Sequence, residues 1–154
     1  MNDENPIYKI ILFSLGYPGK TCLIKRYTHN SFEINWIASI YETKEVTLKN
    51  GRQIKVNIWD TSGTETYLHV NKLYIKGSKG IIFLYDITSL SSLNNVISCY
   101  NIIKESIPED AIIALVGNKL DLYDEHCEKT REKGKRTADQ HNIFIFWSFG
   151  KRRN

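Results

Sequence analysis

Three short segments of this 154-residue chain carry residue types that could do chemistry together. The first, Gly19-Lys20-Thr21, follows an apolar run from Tyr8 to Leu15 and a loop that holds Gly16 and Pro18. In a phosphate-binding loop, backbone N–H groups and a helix N-terminus surround a phosphate, a lysine adds charge, and a Ser or Thr hydroxyl ligates magnesium. Lys20 and Thr21 have those types in that order, but Ser14 stands where the pattern G-x-x-x-x-G-K-[ST] has its first glycine. Pro18 also lacks an N–H, and one lost hydrogen bond to a charged group costs about 1.5–3 kcal/mol. A plain helix start reads these residues equally well.

The second segment is Asp60-Thr61-Ser62-Gly63. An aspartate at a strand end can hold magnesium, and a glycine lets a backbone N–H approach a phosphate closely. An ordinary strand-ending turn has the same composition. The third segment is Asn118-Lys119-Leu120-Asp121. A carboxylate there can accept hydrogen bonds from guanine N1–H and N2–H₂; adenine offers neither donor, and a buried carboxylate facing it stays unpaired. The Lys119 stem can lie over a base, and Asn118 can bond the base or brace the phosphate loop. Taken alone this tetrapeptide is as readily a loop as a site. All three occur in order, each after an apolar run, and ligands of open α/β sheets bind at strand C-terminal ends.

The elements that must position these segments are legible as patterns. Tyr8 to Leu15, Gly80 to Ile87 and Ala111 to Val116 are short apolar runs, as expected of buried parallel strands. Glu42 to Leu48 and Gln53 to Trp59 flank Asn50-Gly51 and predict a hairpin, with Ile54, Val56 and Ile58 on its buried face. Thr21 to Tyr27 has helical spacing, as do Leu93, Val96, Ile97, Tyr100 and Ile103. Asn142 to Trp147 is a last candidate strand. Strands alternating with helices predict an α/β fold with a mainly parallel sheet.

Length and composition bound the function. One domain, residues 1–154, fits the length and the 42% hydrophobic content. No apolar run reaches the ~20 residues that cross a bilayer, and the polar start Met1-Asn-Asp-Glu does not read as a secretory signal. Net charge is +4, and the densest basic cluster, Lys129 to Arg136, is interleaved with Glu128 and Glu132. Mixed signs predict a solvated helical face rather than a nucleic-acid partner. Cys22, Cys99 and Cys127 have no metal-like spacing and suit a reduced, cytoplasmic chain.

The sequence resembles the Ras superfamily of small GTPases, and its Rab branch most. The resemblance rests on Lys9-Ile-Ile-Leu, Gly19-Lys-Thr-Cys-Leu-Ile, Ile58-Trp-Asp-Thr-Ser-Gly, Tyr74-Ile-Lys-Gly-Ser-Lys-Gly, Tyr85-Asp-Ile-Thr and Val116-Gly-Asn-Lys-Leu-Asp, and spans about residues 7 to 151. It implies a P-loop G domain with a mostly parallel six-stranded sheet flanked by helices. It further implies GTP or GDP with Mg²⁺ bound by Gly16, Gly19, Lys20, Thr21, Cys22, Phe32, Ser39, Gly63, Asn118, Lys119, Asp121, Gly150 and Lys151. Within that set Cys22 would reach the α-phosphate, Phe32 would pack edge-on to the base, and Gly150 and Lys151 would meet the guanine. Thr21, Ser39 and Asp60 would serve the metal. Lys20, Gly63 and Thr64 would serve hydrolysis, with Thr64 standing where the family has a water-orienting glutamine.

Threonine lacks the carboxamide that can bond water and phosphate together, so hydrolysis is expected to be slow. The resemblance also implies effector, exchange-factor and GTPase-activating partners in vesicle traffic, and peripheral attachment to endomembranes through them. Two competing expectations stand beside the switch: a pseudo-GTPase scaffold, motivated by Ser14, Tyr17, Pro18 and Thr64, and an ATPase or kinase, opposed by Asn118 and Asp121. Relatives of this kind continue past the last loop with a further helix and lipidated cysteines. With no cysteine near Asn154, no lipid anchor of its own is expected, and a partly uncovered apolar stripe is expected on the sheet.

Overall fold

Apolar runs alternating with helical spacing give one sheet with helices laid across it. The computed structural model describes residues 5–14, 23, 24, 26, 27, 41–60 and 75–148. Among these are β1 (Ile7–Phe13), β2 (Tyr41–Thr47), β3 (Gln53–Asp60), β4 (Ser78–Asp86), β5 (Ile112–Asn118) and β6 (Phe144–Trp147). They form a six-stranded sheet in the order β2-β3-β1-β4-β5-β6. β2 and β3 pair antiparallel across the Asn50-Gly51 turn, where Gly51 takes φ +83°. The other pairings are parallel, as the sequence predicts.

Helix α1 (Leu90–Ile103) crosses one face. Its Leu93, Val96, Cys99 and Ile103 bury against Ile11, Phe13, Ile81, Phe83, Tyr85 and Leu115 of the central strands. α1 has no acidic residue in its first turn and no basic one in its last, so packing and the Ser89 cap hold it rather than its dipole. Helix α2 (Glu128–His141) carries the mixed-charge cluster and buries only Thr130, Gly134 and Ala138. On the opposite face Leu12 and Leu84 meet Ile24, which lies with Leu23, Arg26 and Tyr27 in the helix expected after the first loop.

Element ends differ from the sequence reading where glycine or a cap intervenes. β5 runs through Gly117 to Asn118, past the apolar run, because a backbone without Cβ fits there: a Cβ on Gly117 would meet Tyr85 Oη at 2.8 Å and Trp147 Cδ1 at 3.0 Å. β6 starts at Phe144 rather than Asn142, because Asn142 closes α2 at φ +52° with its N–H on the Ala138 and Asp139 carbonyls. β3 is half-buried on both faces instead of strictly alternating, since Trp59 packs against Tyr41 on the side shared with Lys55 and Asn57. On β6, Phe144 and Phe146 stack at 6.4 Å and remain 60% and 55% exposed, in line with Ile112 at 61%.

Tyr85 is fully buried, and its hydroxyl is gripped from two sides. A Cβ on Gly134 of α2 would lie 2.6 Å from Oη, opposite Gly117 of β5. The hydroxyl has no hydrogen-bond partner of good geometry among the described residues. Burial pushes the phenol up to about 12, against smaller pulls from the Trp147 indole and the Arg131 guanidinium. A mid-helix Gly→Ala change ordinarily gains about 1 kcal/mol; Gly134→Ala is expected instead to cost about 1–3 kcal/mol by overpacking. Tyr85→Phe should rescue it, and urea denaturation of the single and double variants checks both.

The same phenol sets an alkaline limit. It ionises near pH 10 in the unfolded chain and near 12 in the folded one. The contribution is therefore complete below pH 10 and falls by up to about 2–3 kcal/mol between pH 10 and 12. Comparison of unfolding curves for wild type and Tyr85→Phe across that range should show the loss in wild type alone.

Candidate functional site

Parallel pairing brings the C-terminal ends of β3, β1, β4 and β5 to one edge of the sheet. Along that edge lie Asp60 at the end of β3, opposite Leu12 of β1, and Asp86 of β4, opposite Asn118 of β5. β1 has β3 on one side and β4 on the other, so the chain changes direction across the end of β1. Such a switch point is where open α/β sheets take their ligands. The segment that continues from Ser14 is the glycine-bearing loop of the sequence.

Asn118, Lys119 and Asp121 lie where β5 passes into the turn that follows it. Asn118 is the last residue of β5 and is buried. Its Oδ1 accepts a 2.9 Å hydrogen bond from the Ser148 hydroxyl. Lys119 takes the left-handed conformation at φ +66°, a cost of about 1–2 kcal/mol for a residue with a Cβ. Backbone bonds hold it there: the Leu120 N–H donates to the Ser148 carbonyl at 3.0 Å, and the Ser148 N–H to the Gly117 carbonyl at 2.8 Å. Asp121 then sits in the 3-10 turn Leu120–Leu122.

The Lys119 ammonium donates to Asp86 Oδ2 at 2.7 Å. The other oxygen of Asp86 accepts from the Thr88 N–H at 2.9 Å and the Thr88 hydroxyl at 2.6 Å. Burial alone would raise this carboxyl. The hydrogen bonds from Lys119 and Thr88, with the Lys119 charge, outweigh it and hold the group below its usual range. The backbone bonds and the Asp86 ion pair thus fix the Lys119 side chain at both ends.

Asp60 and Asn118 stand three strand spacings apart, ~14 Å. A ligand that uses both must therefore have two ends, one at the oxygen-rich β3 side and one at the β5 side. Asp60 offers the hard oxygen that magnesium prefers. No group of three or more His, Cys, Asp or Glu side chains able to hold a metal occurs among the described residues. Gly16, Gly19, Lys20, Thr21, Cys22, Phe32, Ser39, Gly63, Thr64, Gly150 and Lys151 lie outside the described residues. Two contributors escaped the sequence reading, Asp86 and Ser148. Asp86 stands in the quoted Tyr85-Asp86-Ile-Thr, but its pairing with Lys119 spans 33 positions and no local pattern encodes it.

Comparison with known proteins supplies a second line. Residues 9–152 match the profile of the Ras family. The Ras-related protein Rab-10 of Caenorhabditis elegans is 34% identical over 140 residues, covering 89% of this chain and 69% of that protein. The Ras-related protein RAB1BV of Beta vulgaris is 31% identical over 94% of this chain and 68% of its own length. The GTP-binding protein yptV2 of Volvox carteri is 33% identical over 90% of this chain and 64% of its own length.

The Asp86 carboxyl gives a testable acid limit. Its folded-state value is depressed, so the stability from its pair with Lys119 is present above the unfolded value near pH 4. It is lost as pH falls through the folded value. Asp86→Asn should flatten the acid limb of stability measured by urea unfolding between pH 6 and pH 3; parallel curves for the two proteins would contradict the pairing.

Proposed function

The chain belongs to the Ras family and is Rab-like within it, and from that premise we propose that it is a guanine-nucleotide-binding switch that works in vesicle traffic. The observation that carries the reading is the stapled Asn118-Lys119-Leu120-Asp121 loop at the C-terminal edge of the sheet. Asp121 accepts the N1–H and N2–H₂ of guanine and leaves adenine unbound. The Lys119 stem, fixed at its head by Asp86, covers one face of the base. Asn118 is held by Ser148 at the base end of the pocket, and Gly150, Lys151 and Phe32 complete the surroundings of the base.

The phosphates fall to Gly16, Gly19, Lys20 and Cys22. Thr21, Ser39 and Asp60 would hold Mg²⁺, which would supply charge neutralisation to the phosphates. The phosphate-approaching N–H of the motif is assigned to Gly63. Thr64 follows it without a carboxamide to orient the attacking water, so turnover is slow. A nucleotide switch acts by ordering segments around the γ-phosphate and releasing them on hydrolysis. Effectors, an exchange factor and a GTPase-activating protein at endomembranes are the partners this implies.

A second reading, a scaffold that holds nucleotide without turnover, draws on Ser14 as well as Thr64. The Ser14 hydroxyl is buried without a hydrogen-bond partner among the described residues, where the phosphate-loop pattern calls for glycine. Two measurements test the proposal. Asp121→Ala should weaken GDP binding by about 100-fold or more and leave ADP unchanged, as expected for two lost charge-assisted hydrogen bonds; an unaltered preference for GDP contradicts the base-reading role. Thr64→Gln should speed single-turnover GTP hydrolysis, and a wild type no slower than that variant removes the slow-switch reading.

A further inference from the structure

Arg131, on α2, joins two parts of the molecule that hold opposite sides of the base pocket. Its guanidinium lies 5.8 Å from the ring centroid of Tyr123 and 5.3 Å from that of Trp147. Tyr123 closes the turn that carries Asp121, with its N–H on the Leu120 carbonyl at 3.1 Å, and its hydroxyl donates to Glu128 at the start of α2. Trp147 ends β6 immediately before Ser148, the residue that holds Asn118. The Trp147 indole also packs against Gly117, directly before Asn118. Tyr123 and Trp147 thus both lie within cation–π range of Arg131, and Trp147 in turn borders Gly117.

The bonds within the Asp121 turn, Leu122 N–H to Lys119 carbonyl and Tyr123 N–H to Leu120 carbonyl, are local. The Leu120 N–H bond to the Ser148 carbonyl ties the start of the turn to the end of β6, while the Tyr123 ring, beside Arg131, ties its far end to α2. We propose that Arg131 is a positioning residue for base selectivity: by contacting both rings, it helps set Asp121 at a fixed separation from Asn118. The inference rests on the guanine reading above. Arginine suits the slot because a planar guanidinium stacks on aromatic rings on both faces, which an ammonium cannot do.

The test compares GDP and IDP affinity in the full chain with magnesium. Hypoxanthine lacks the 2-amino group of guanine, so the ratio of the two affinities reads the engagement of Asp121. Arg131→Ala should cut the ratio by about three- to tenfold, Arg131→Lys should restore part of it, and Tyr123→Leu should repeat the loss if the alanine variant does not fold. A ratio unchanged in these variants, with GDP and IDP weakened equally while the melting temperature falls, assigns Arg131 a structural role and overturns the inference. A wild type that shows no preference for GDP over ADP instead overturns the guanine reading, and the inference with it.

Discussion

The register of three parallel strands is the constraint on which the ligand edge depends. β4 and β5 pair from Gly80 opposite Ile112 to Asp86 opposite Asn118, and β6 continues with Trp147 opposite Gly117. That alignment puts the Asp86 carboxylate and the Asn118 amide side by side on one face at this edge, with the Trp147 indole on the other face. The ladder then continues past the strands through Ile87 N–H to the Asn118 carbonyl and Ser148 N–H to the Gly117 carbonyl. A slip of one residue would turn each of these side chains to the other face and part Asp86 from Asn118. The left-handed Lys119 is held at the end of this ladder, with its strain met by the Asp86 ion pair and the Ser148 bonds.

Register in turn depends on the core. Ile81, Phe83 and Tyr85 alternate onto the α1 face, and Tyr85 reaches between Gly117 and Gly134 to bring α2 against β5. No larger residue fits at either glycine without moving the ring. The consequence reaches the site, because Gly117 precedes Asn118 and α2 carries Arg131. Packing at Tyr85 and geometry at the base loop are therefore one problem for this chain.

The central strands, the hairpin and the face of α1 were readable because each follows from a local period: apolar runs for central strands, Asn50-Gly51 for the turn, spacing of three and four for Leu93 to Ile103. Asn118, Lys119 and Asp121 stood out as candidates because their types match a donor pattern on a ligand. What stayed hidden is non-local. Asp86 meets Lys119, Ser148 meets Asn118, and Arg131 meets Trp147 only after strands distant in sequence pair. Element ends were shifted by single residues whose effect is conformational, Gly117 extending β5 and Asn142 closing α2 ahead of β6.

The central claim is that the edge built by Asp86, Asn118, Lys119 and Asp121 is a guanine site. It is tested most directly by loading purified native protein with a mixture of GDP and ADP in magnesium, removing free nucleotide, denaturing the protein and identifying what is released. The account predicts one guanine nucleotide per chain and no adenine nucleotide. Release of ADP, or a folded chain that takes up neither, would contradict it.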